Sequence, residues 1–508
     1  MNQLSRRGFI AGLSLLALAP QVLRAGPAVA ADPDIDGVLA YAVLDPVSGQ
    51  VLAQRQADLP LPPASTLKSV TALYALEKLG DGHRFATRVV RAGNMLILVG
   101  GGDPVLDTDA LADLAARTAE AEKTSGLPAP SAFMVWGGAL PRIERLDPAQ
   151  DEHLPYNPTI SGMILNFNRV YLDWRRGKSG PELSLQARGA RQSPRAYTVT
   201  IAPAERSLPL FAYDDSGKLE SWTVARGALA RPGSRWLPVR RPELYAGDVF
   251  QTLCRARGLA LPAPEVIEIM PDGTEIARHE SPPLREIVTG MMEYSTNLTA
   301  EVLGLSASGA GDVETSAKAM EAWLRAQGIA GPFSLHDHSG LSPANRMTAL
   351  ALAQTLAGPG RRRDLRTVMK EISLRDAKGR RKDSPIRIQA KTGTLNFVSN
   401  LAGYAHDGDG RELVFATLSM NEARHAASQG QELPDGLIGW TRRAKAAQQA
   451  LIEGWFAAGL GRLPDPDPDP GIGAAPADVP RAIPMPLSTQ GPLSTQGPAL
   501  KLPAPSQP

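Results

Sequence analysis

The chain has 508 residues, of which 43% are apolar and 21% charged. This is the balance of a globular protein long enough for two or three domains, and it excludes a wholly disordered or fibrous chain. Lys and Arg number 54 against 52 Asp and Glu, so the net charge is only +2. That excludes the basic excess on which a dedicated nucleic-acid binder depends. The single cysteine, Cys254, excludes an intrachain disulfide and a thiolate zinc site, and reads as a small buried hydrophobe.

The first thirty residues carry Arg6, Arg7 and Arg24 and no acid. An apolar run, Phe9–Ala19, is too short to cross a bilayer, and Ala28-Val29-Ala30 has the small-x-small form of a cleavage site. Residues 1–30 are therefore expected to be an export signal, with the twin arginine pointing to the twin-arginine route. The remaining chain has no other membrane-spanning candidate, and its expected location is the periplasm.

Val38–Leu44 is an apolar run that stops at Asp45-Pro46; Ser48-Gly49 turns the chain and Val51–Ala53 answers it, a hairpin signal. Pro60, Pro62 and Pro63 then halt the chain. From Ser65 to Leu79 the apolar spacing becomes helical, with Gly80 as a stop. Residues 31–88 form the first segment of one module. Over 89–265 short strand-like stretches (Met95–Val99, Tyr197–Ile201, Trp222–Ala225) surround one helical stretch, Asp109–Ala121, and predict a β-rich insert of one or two units. Over 266–462 the expected helices are Leu284–Leu305, Ala317–Gln327 and Thr348–Ala357. The strand Ile386–Ala390 follows, then a hairpin of Leu401–Tyr404 with Glu412–Leu418 around Asp407-Gly408-Asp409-Gly410, and a last helix over 439–458. Strand pairs at both ends with helices between predict an α+β fold, an antiparallel sheet flanked by helices. Residues 463–508 are rich in Pro, Asp, Ala and Gly and repeat Leu-Ser-Thr-Gln-Gly-Pro, the composition of a disordered tail.

Amide hydrolysis needs a nucleophile, a base and an oxyanion site. The G-x-S-x-G elbow and the H-E-x-x-H zinc motif are both absent. His336-Asp337-His338 lacks a third ligand at suitable spacing and reads as a loop. Ser65-Thr66-Leu67-Lys68 is the only S-x-x-K. On a helix, positions i and i+3 share a face, so hydroxyl and amine meet, and the helix N-terminus favours a developing oxyanion. Taken alone, Ser65 could be merely an N-cap. Lys391-Thr392-Gly393-Thr394 follows an alternating strand; there a glycine lets a substrate backbone approach, and the lysine and threonine hydroxyls suit a carboxylate. S-x-N occurs twice, as Ser295-Thr296-Asn297 and Ser419-Met420-Asn421, and the first pair is the chosen candidate.

S-x-x-K, S-x-N and K-T-G in this order resemble the active-site serine penicillin-recognising enzymes. The long stretch between Lys68 and Ser295 resembles the penicillin-binding protein 4 type, the D-alanyl-D-alanine carboxypeptidase/endopeptidase family (serine peptidase family S13). Gly100-Gly101-Gly102-Asp103-Pro104, Asn297-Leu298-Thr299-Ala300-Glu301 and Asp337-His338-Ser339-Gly340-Leu341-Ser342 extend the likeness. The resemblance implies a penicillin-binding-protein/β-lactamase-like transpeptidase domain interrupted by the insert. It implies Ser65 as nucleophile, Lys68 as its base, Ser295 as proton relay, and Asn297 on the acyl chain. Lys391 and Thr392 would bind the terminal carboxylate, Gly393 would allow close approach, and the N–H groups of Ser65 and Thr394 would hold the oxyanion. Peptidoglycan stem peptides would be the substrate and β-lactams covalent inhibitors; no cofactor or metal is called for. A β-lactamase or esterase on the same scaffold, and a non-catalytic wall-binding protein, are the alternatives. Two departures stand out. His338 replaces a family glycine, and Asn166 is read at the place where some relatives carry an acid for a diamino acid's amine. The basic runs Arg361–Arg363 and Arg380–Lys382 read as solvated loops.

Overall fold

The computed structural model describes residues 35–461 other than 179 and 377. The expected export signal and the Pro-rich tail fall outside these residues. Val38–Leu44 has no polar face and forms a strand buried on both sides. Ala40, Ala42 and Leu44 enter one core, and Leu39, Tyr41 and Val43 enter another, as the period of two requires. On one side it pairs with its hairpin partner Val51–Arg55; on the other it pairs with Glu412–Met420, from the far end of the chain. The whole sheet is antiparallel, in the order Lys370–Glu371, Arg387–Leu395, Val398–His406, Glu412–Met420, Val38–Leu44, Val51–Arg55.

Helices Lys68–Leu79, Leu284–Tyr294, Asn297–Ser308, Val313–Ala326 and Ala349–Thr355 share one core with the first face of this sheet. Helix Leu437–Ala457 covers the other. Trp455 fixes that helix in place, buried between Tyr41 and Phe415 at ring-centroid distances of 5.5 and 5.8 Å. Truncating such an aromatic costs about 3–5 kcal/mol. Among the described residues no helix is long and apolar enough to cross a membrane.

Between the two parts of this module the chain makes a long excursion. Ala86–Ala92 departs and Thr274–Glu280 returns antiparallel beside it, so the excursion runs from 86 to 280, where composition marks 89–265. Their sheet continues through Met95–Val99, Ala132–Trp136 and Pro264–Ile267, the last two pairings being parallel. A parallel pair needs a crossover, and helix Thr108–Ser125 supplies it, capped by the Asp107 carboxylate on Ala110 N. Two three-stranded sheets and the helix Pro242–Arg255 complete the excursion. That helix has no counterpart in the sequence reading; it buries Cys254.

The expected helix Leu284–Leu305 is two helices, Leu284–Tyr294 and Asn297–Ser308. The break is Ser295, left-handed at φ 58°. Apolar periodicity runs through it because both halves bury against one core. The expected strand Ile386–Ala390 extends as Arg387–Leu395, so Lys391–Thr394 lie within the strand.

Candidate active site

The proline-rich segment delivers Ser65 to a short 3-10 turn, Ala64–Leu67, that runs directly into helix Lys68–Leu79. The turn is held hard. Thr66 Oγ1 donates to the Pro63 carbonyl at 2.6 Å, and Asn400 Nδ2, from the third strand of the sheet, donates to the Pro62 and Pro63 carbonyls at 2.8 and 2.9 Å. Ala64 is left-handed at φ 48°, a conformation that costs energy for a residue with a Cβ and persists only when its surroundings impose it. Gly340 lies against it: a Cβ there would stand 1.9 Å from the Ala64 carbonyl oxygen.

Lys68 is fully buried and its amine has three partners. Nζ is 3.0 Å from Ser65 Oγ, 2.8 Å from Asn297 Oδ1 and 2.7 Å from the Ser339 carbonyl. Burial lowers its pKa to about 8, against the opposing pull of Asp337 and Glu301. Asn297 is the first residue of its helix, set by the break at Ser295. The left-handed turn at Ser295 places its Oγ 2.9 Å from Lys391 Nζ. Lys391 is also buried, and its pKa lies well below the usual lysine value, through burial and then through repulsion by Lys68.

Along Arg387–Leu395 the side chains alternate. Lys391 and Gly393 are buried, whereas Thr392 and Thr394 are exposed. Gly393 touches the nucleophile turn, where a Cβ would meet Pro63 O at 2.8 Å, Thr66 N at 3.0 Å and Ser65 N at 3.1 Å. The neighbouring strand Lys370–Glu371 pairs only with Ala390 and Gln389, so among the described residues the outer edge of Lys391–Thr394 is open to an added strand.

The structure thus brings Ser65 and Asn297 to Lys68, Ser295 to Lys391 and Gly393 to the Ser65 turn, with Thr392 and Thr394 on the same strand as Lys391. The second S-x-N pair lies elsewhere: Ser419 donates to the Ser399 carbonyl within the sheet and its N–H donates to Asn400 Oδ1. Asn166 is also elsewhere, buried in the excursion, where its amide bonds the Thr108 N–H and hydroxyl. Its side chain is thus committed to Thr108. From the excursion, Tyr156 reaches the site: its carbonyl accepts from Asn297 Nδ2 at 3.3 Å. His336 and His338 have different partners, Glu314 at 2.9 Å and Ser316 at 2.7 Å. The His338 ring fills the space above Gly304, where a Cβ would lie 2.2 Å from it; this is how a histidine fits where the family pattern has glycine. Burial lowers its pKa to about 3.

Sequence reasoning assigns no role to Asn400 or Glu301. Glu301 carries a signal, four residues after Asn297 on the same helix. Asn400 carries none, because its proline partners lie at the other end of the chain.

An antiparallel sheet flanked by helices, with serine and lysine one turn apart beside a lysine-bearing strand, defines the class of penicillin-recognising serine peptidases. The model of the D-Ala-D-Ala carboxypeptidase 3 (S13) family matches residues 27–444, and the chain belongs to that family. A carboxypeptidase of Mycobacterium tuberculosis is 32% identical over 423 residues, which cover 78% of each chain. A D-alanyl-D-alanine carboxypeptidase of Actinomadura sp. is 26% identical over 480 residues, 80% of this chain and 85% of that one. Among solved structures, penicillin-binding protein 4 of Haemophilus influenzae superposes with a TM-score of 0.64 at 18% identity, over 82% of this chain and 97% of that one. The fold is therefore that of penicillin-binding protein 4, and the protein is a peptidase acting on peptidoglycan peptides.

Proposed function

We propose that the protein removes the terminal D-alanine of peptidoglycan stem peptides through an acyl-enzyme on Ser65, that it also cuts D-alanyl–diamino acid cross-links, and that β-lactams acylate the same serine. The observation that carries this reading is the set of acceptors around Lys68 Nζ. A neutral amine has two N–H donors and one lone pair. The Asn297 and Ser339 oxygens, at 2.8 and 2.7 Å, accept the two donors, which leaves the lone pair for the Ser65 hydroxyl proton at 3.0 Å.

In this mechanism Ser65 Oγ attacks the carbonyl of the penultimate D-alanine while Lys68 takes its proton. The N–H groups of Ser65 and Thr394 hold the oxyanion, which the contact of Gly393 with the nucleophile turn supports. The C–N bond breaks and the departing amine takes a proton through Ser295, which bonds Lys391. Lys391 and Thr392 hold the substrate carboxylate. Lys391 has no carboxylate against it within hydrogen-bond distance among the described residues, so an entering carboxylate supplies the missing counter-charge. Water then cleaves the ester and frees Ser65.

In the same reading residues 1–30 export the chain to the periplasm, and the catalytic module is made of the two stretches on either side of the excursion, before Ala86 and after Glu280. Four of the six basic residues pair locally, Arg363 with Asp81, Arg380 with Asp376, Arg381 with Glu371 and Lys382 with Glu453, while Arg361 and Arg362 bond the Pro46 carbonyl and the Gln327 amide oxygen. The test is the intact mass of the mature protein after benzylpenicillin, beside Ser65→Ala. One penicillin added to the wild type and none to the variant is the expected result. Rapid penicillin turnover without an adduct would instead favour a β-lactamase, and muropeptide digestion separates the two peptidase activities.

A further inference from the structure

Behind Lys68 lie two carboxylates that the mechanism above does not use. Glu301 is 1% exposed and Asp337 3% exposed. They bind the backbone of one loop from two sides. Glu301 accepts from His338 N at 3.2 and 3.0 Å, through its two oxygens, and from Ser339 N at 2.8 Å. Asp337 accepts from Gly340 N at 2.8 Å, Ser342 N at 2.6 Å and Asn345 Nδ2 at 2.7 Å. From the nucleophile helix, Thr71 Oγ1 donates to the His338 carbonyl at 2.6 Å. The next carbonyl, that of Ser339, is the one 2.7 Å from Lys68 Nζ.

Asn297 and Glu301 stand at i and i+4, on one face of one helix. The first touches Lys68 directly. The second touches the loop that carries the other acceptor of Lys68. A carboxylate suits this place because two successive N–H groups converge on it and it accepts only; an amide would turn its own N–H2 against one of them.

We propose that Glu301 is a positioning residue of the reaction: by binding the His338 and Ser339 N–H groups it turns the Ser339 carbonyl onto Lys68 Nζ, and so aims the lone pair of the amine at Ser65. This rests on Lys68 being the base. Its charge acts in the same place. The ionisable groups around Lys68 are Glu301, Asp337 and Lys391, with His338 neutral beyond the loop. Burial and the neighbouring Asp337 push the Glu301 pKa up to about 8, against the loop N–H groups that favour its anion, so the anion forms in the range where Lys68 gives up its proton, and losing it releases that proton more readily.

The test compares the mature wild type with Glu301→Gln, Glu301→Asp and Ser316→Ala. Ser316 bonds the His338 ring in the same polar core but touches neither the loop backbone nor Lys68. Acylation by benzylpenicillin is followed by intact mass between about pH 5.5 and 9, with kcat and KM on a D-Ala-D-Ala peptide and thermal melting alongside. Glu301→Gln is expected to acylate about 10–100-fold more slowly, with kcat falling and KM little changed, and with the pH of half-maximal rate moved down. Ser316→Ala is expected to melt lower and to keep the wild-type rate and pH midpoint. Glu301→Asp keeps the charge but withdraws it by one methylene, so its rate falls while its pH midpoint stays. A folded Glu301→Gln with the wild-type rate and midpoint overturns the proposal. If that variant does not fold, a wild-type rate in Glu301→Asp overturns it. Absence of any adduct on wild-type Ser65 defeats the underlying reading instead, and the two failures are distinguishable.

Discussion

Gly393 lies against the backbone of Ser65, so close that a Cβ on it would stand 3.1 Å from Ser65 N and 2.8 Å from the Pro63 carbonyl. All three nearest atoms are backbone, and backbone cannot swing aside as a side chain can. Gly393→Ala must therefore push the strand away from the nucleophile turn. The overpacking costs about 1–3 kcal/mol of stability. A displacement of about 1 Å at reacting groups costs on the order of 100-fold in kcat/KM. Penicillin acylation rates and thermal melting check this together: activity is expected to fall far more than stability.

The pKa of Lys68, lowered to about 8 by burial, sets the pH dependence of acylation. The base must be neutral, so the rate rises with pH, about tenfold per unit below that value, and levels above it. Lys68→Met removes the base and is expected to slow acylation by about 100–10,000-fold. A flat wild-type profile between about pH 6 and 8 would assign the proton to another group.

Lys391 is pushed down by burial and by Lys68, and a substrate carboxylate favours its charged form. KM for a peptide ending in a carboxylate is therefore expected to rise as pH rises through the Lys391 pKa. The same peptide ending in a carboxamide should bind about 10–100-fold more weakly and lack that pH dependence. Steady-state kinetics on the two peptides decides the point.

His338 is a buried, neutral histidine whose folded-state pKa, about 3, lies below the ordinary 6.5. Here the sign is that of a depressed base. Above about pH 6.5 neither state is protonated, and the histidine leaves the folded state at its full stability; as pH falls the unfolded state takes the proton first. The folded protein then loses about 1.4 kcal/mol per pH unit from this residue until the folded pKa is reached. Urea unfolding of wild type and His338→Gln at neutral and mildly acid pH tests it. The difference between the two is expected to shrink steadily towards acid pH.

Much of this was legible in the sequence. The strand Val38–Leu44, the helix after Pro63 and the final hairpin are local patterns, and the three motifs named the residues found around Ser65. Sequence pattern fails where tertiary contacts decide. Periodicity ran straight through Ser295, because two successive helices bury one continuous apolar face, and only the left-handed φ of 58° reveals the break. Asn166, which stands in the sequence where some relatives carry an acid, bonds Thr108 inside the excursion. Pro242–Arg255 is a helix inside the segment expected to be β-rich.

Order and spacing alone determined the class of chemistry, since a serine and a lysine one helical turn apart can meet in any chain that forms that helix. The meeting of the motifs was decided only by the fold. Val38–Leu44 pairs with Glu412–Met420, and that pairing places the Lys391 strand, two strands further along the sheet, against the nucleophile turn. The Ser339 carbonyl on Lys68, the Asn400 clasp on Pro62 and Pro63, and the His338 ring over Gly304 likewise join residues far apart in the chain. Such contacts leave no period or spacing behind, because they depend on how finished elements pack rather than on how each one forms.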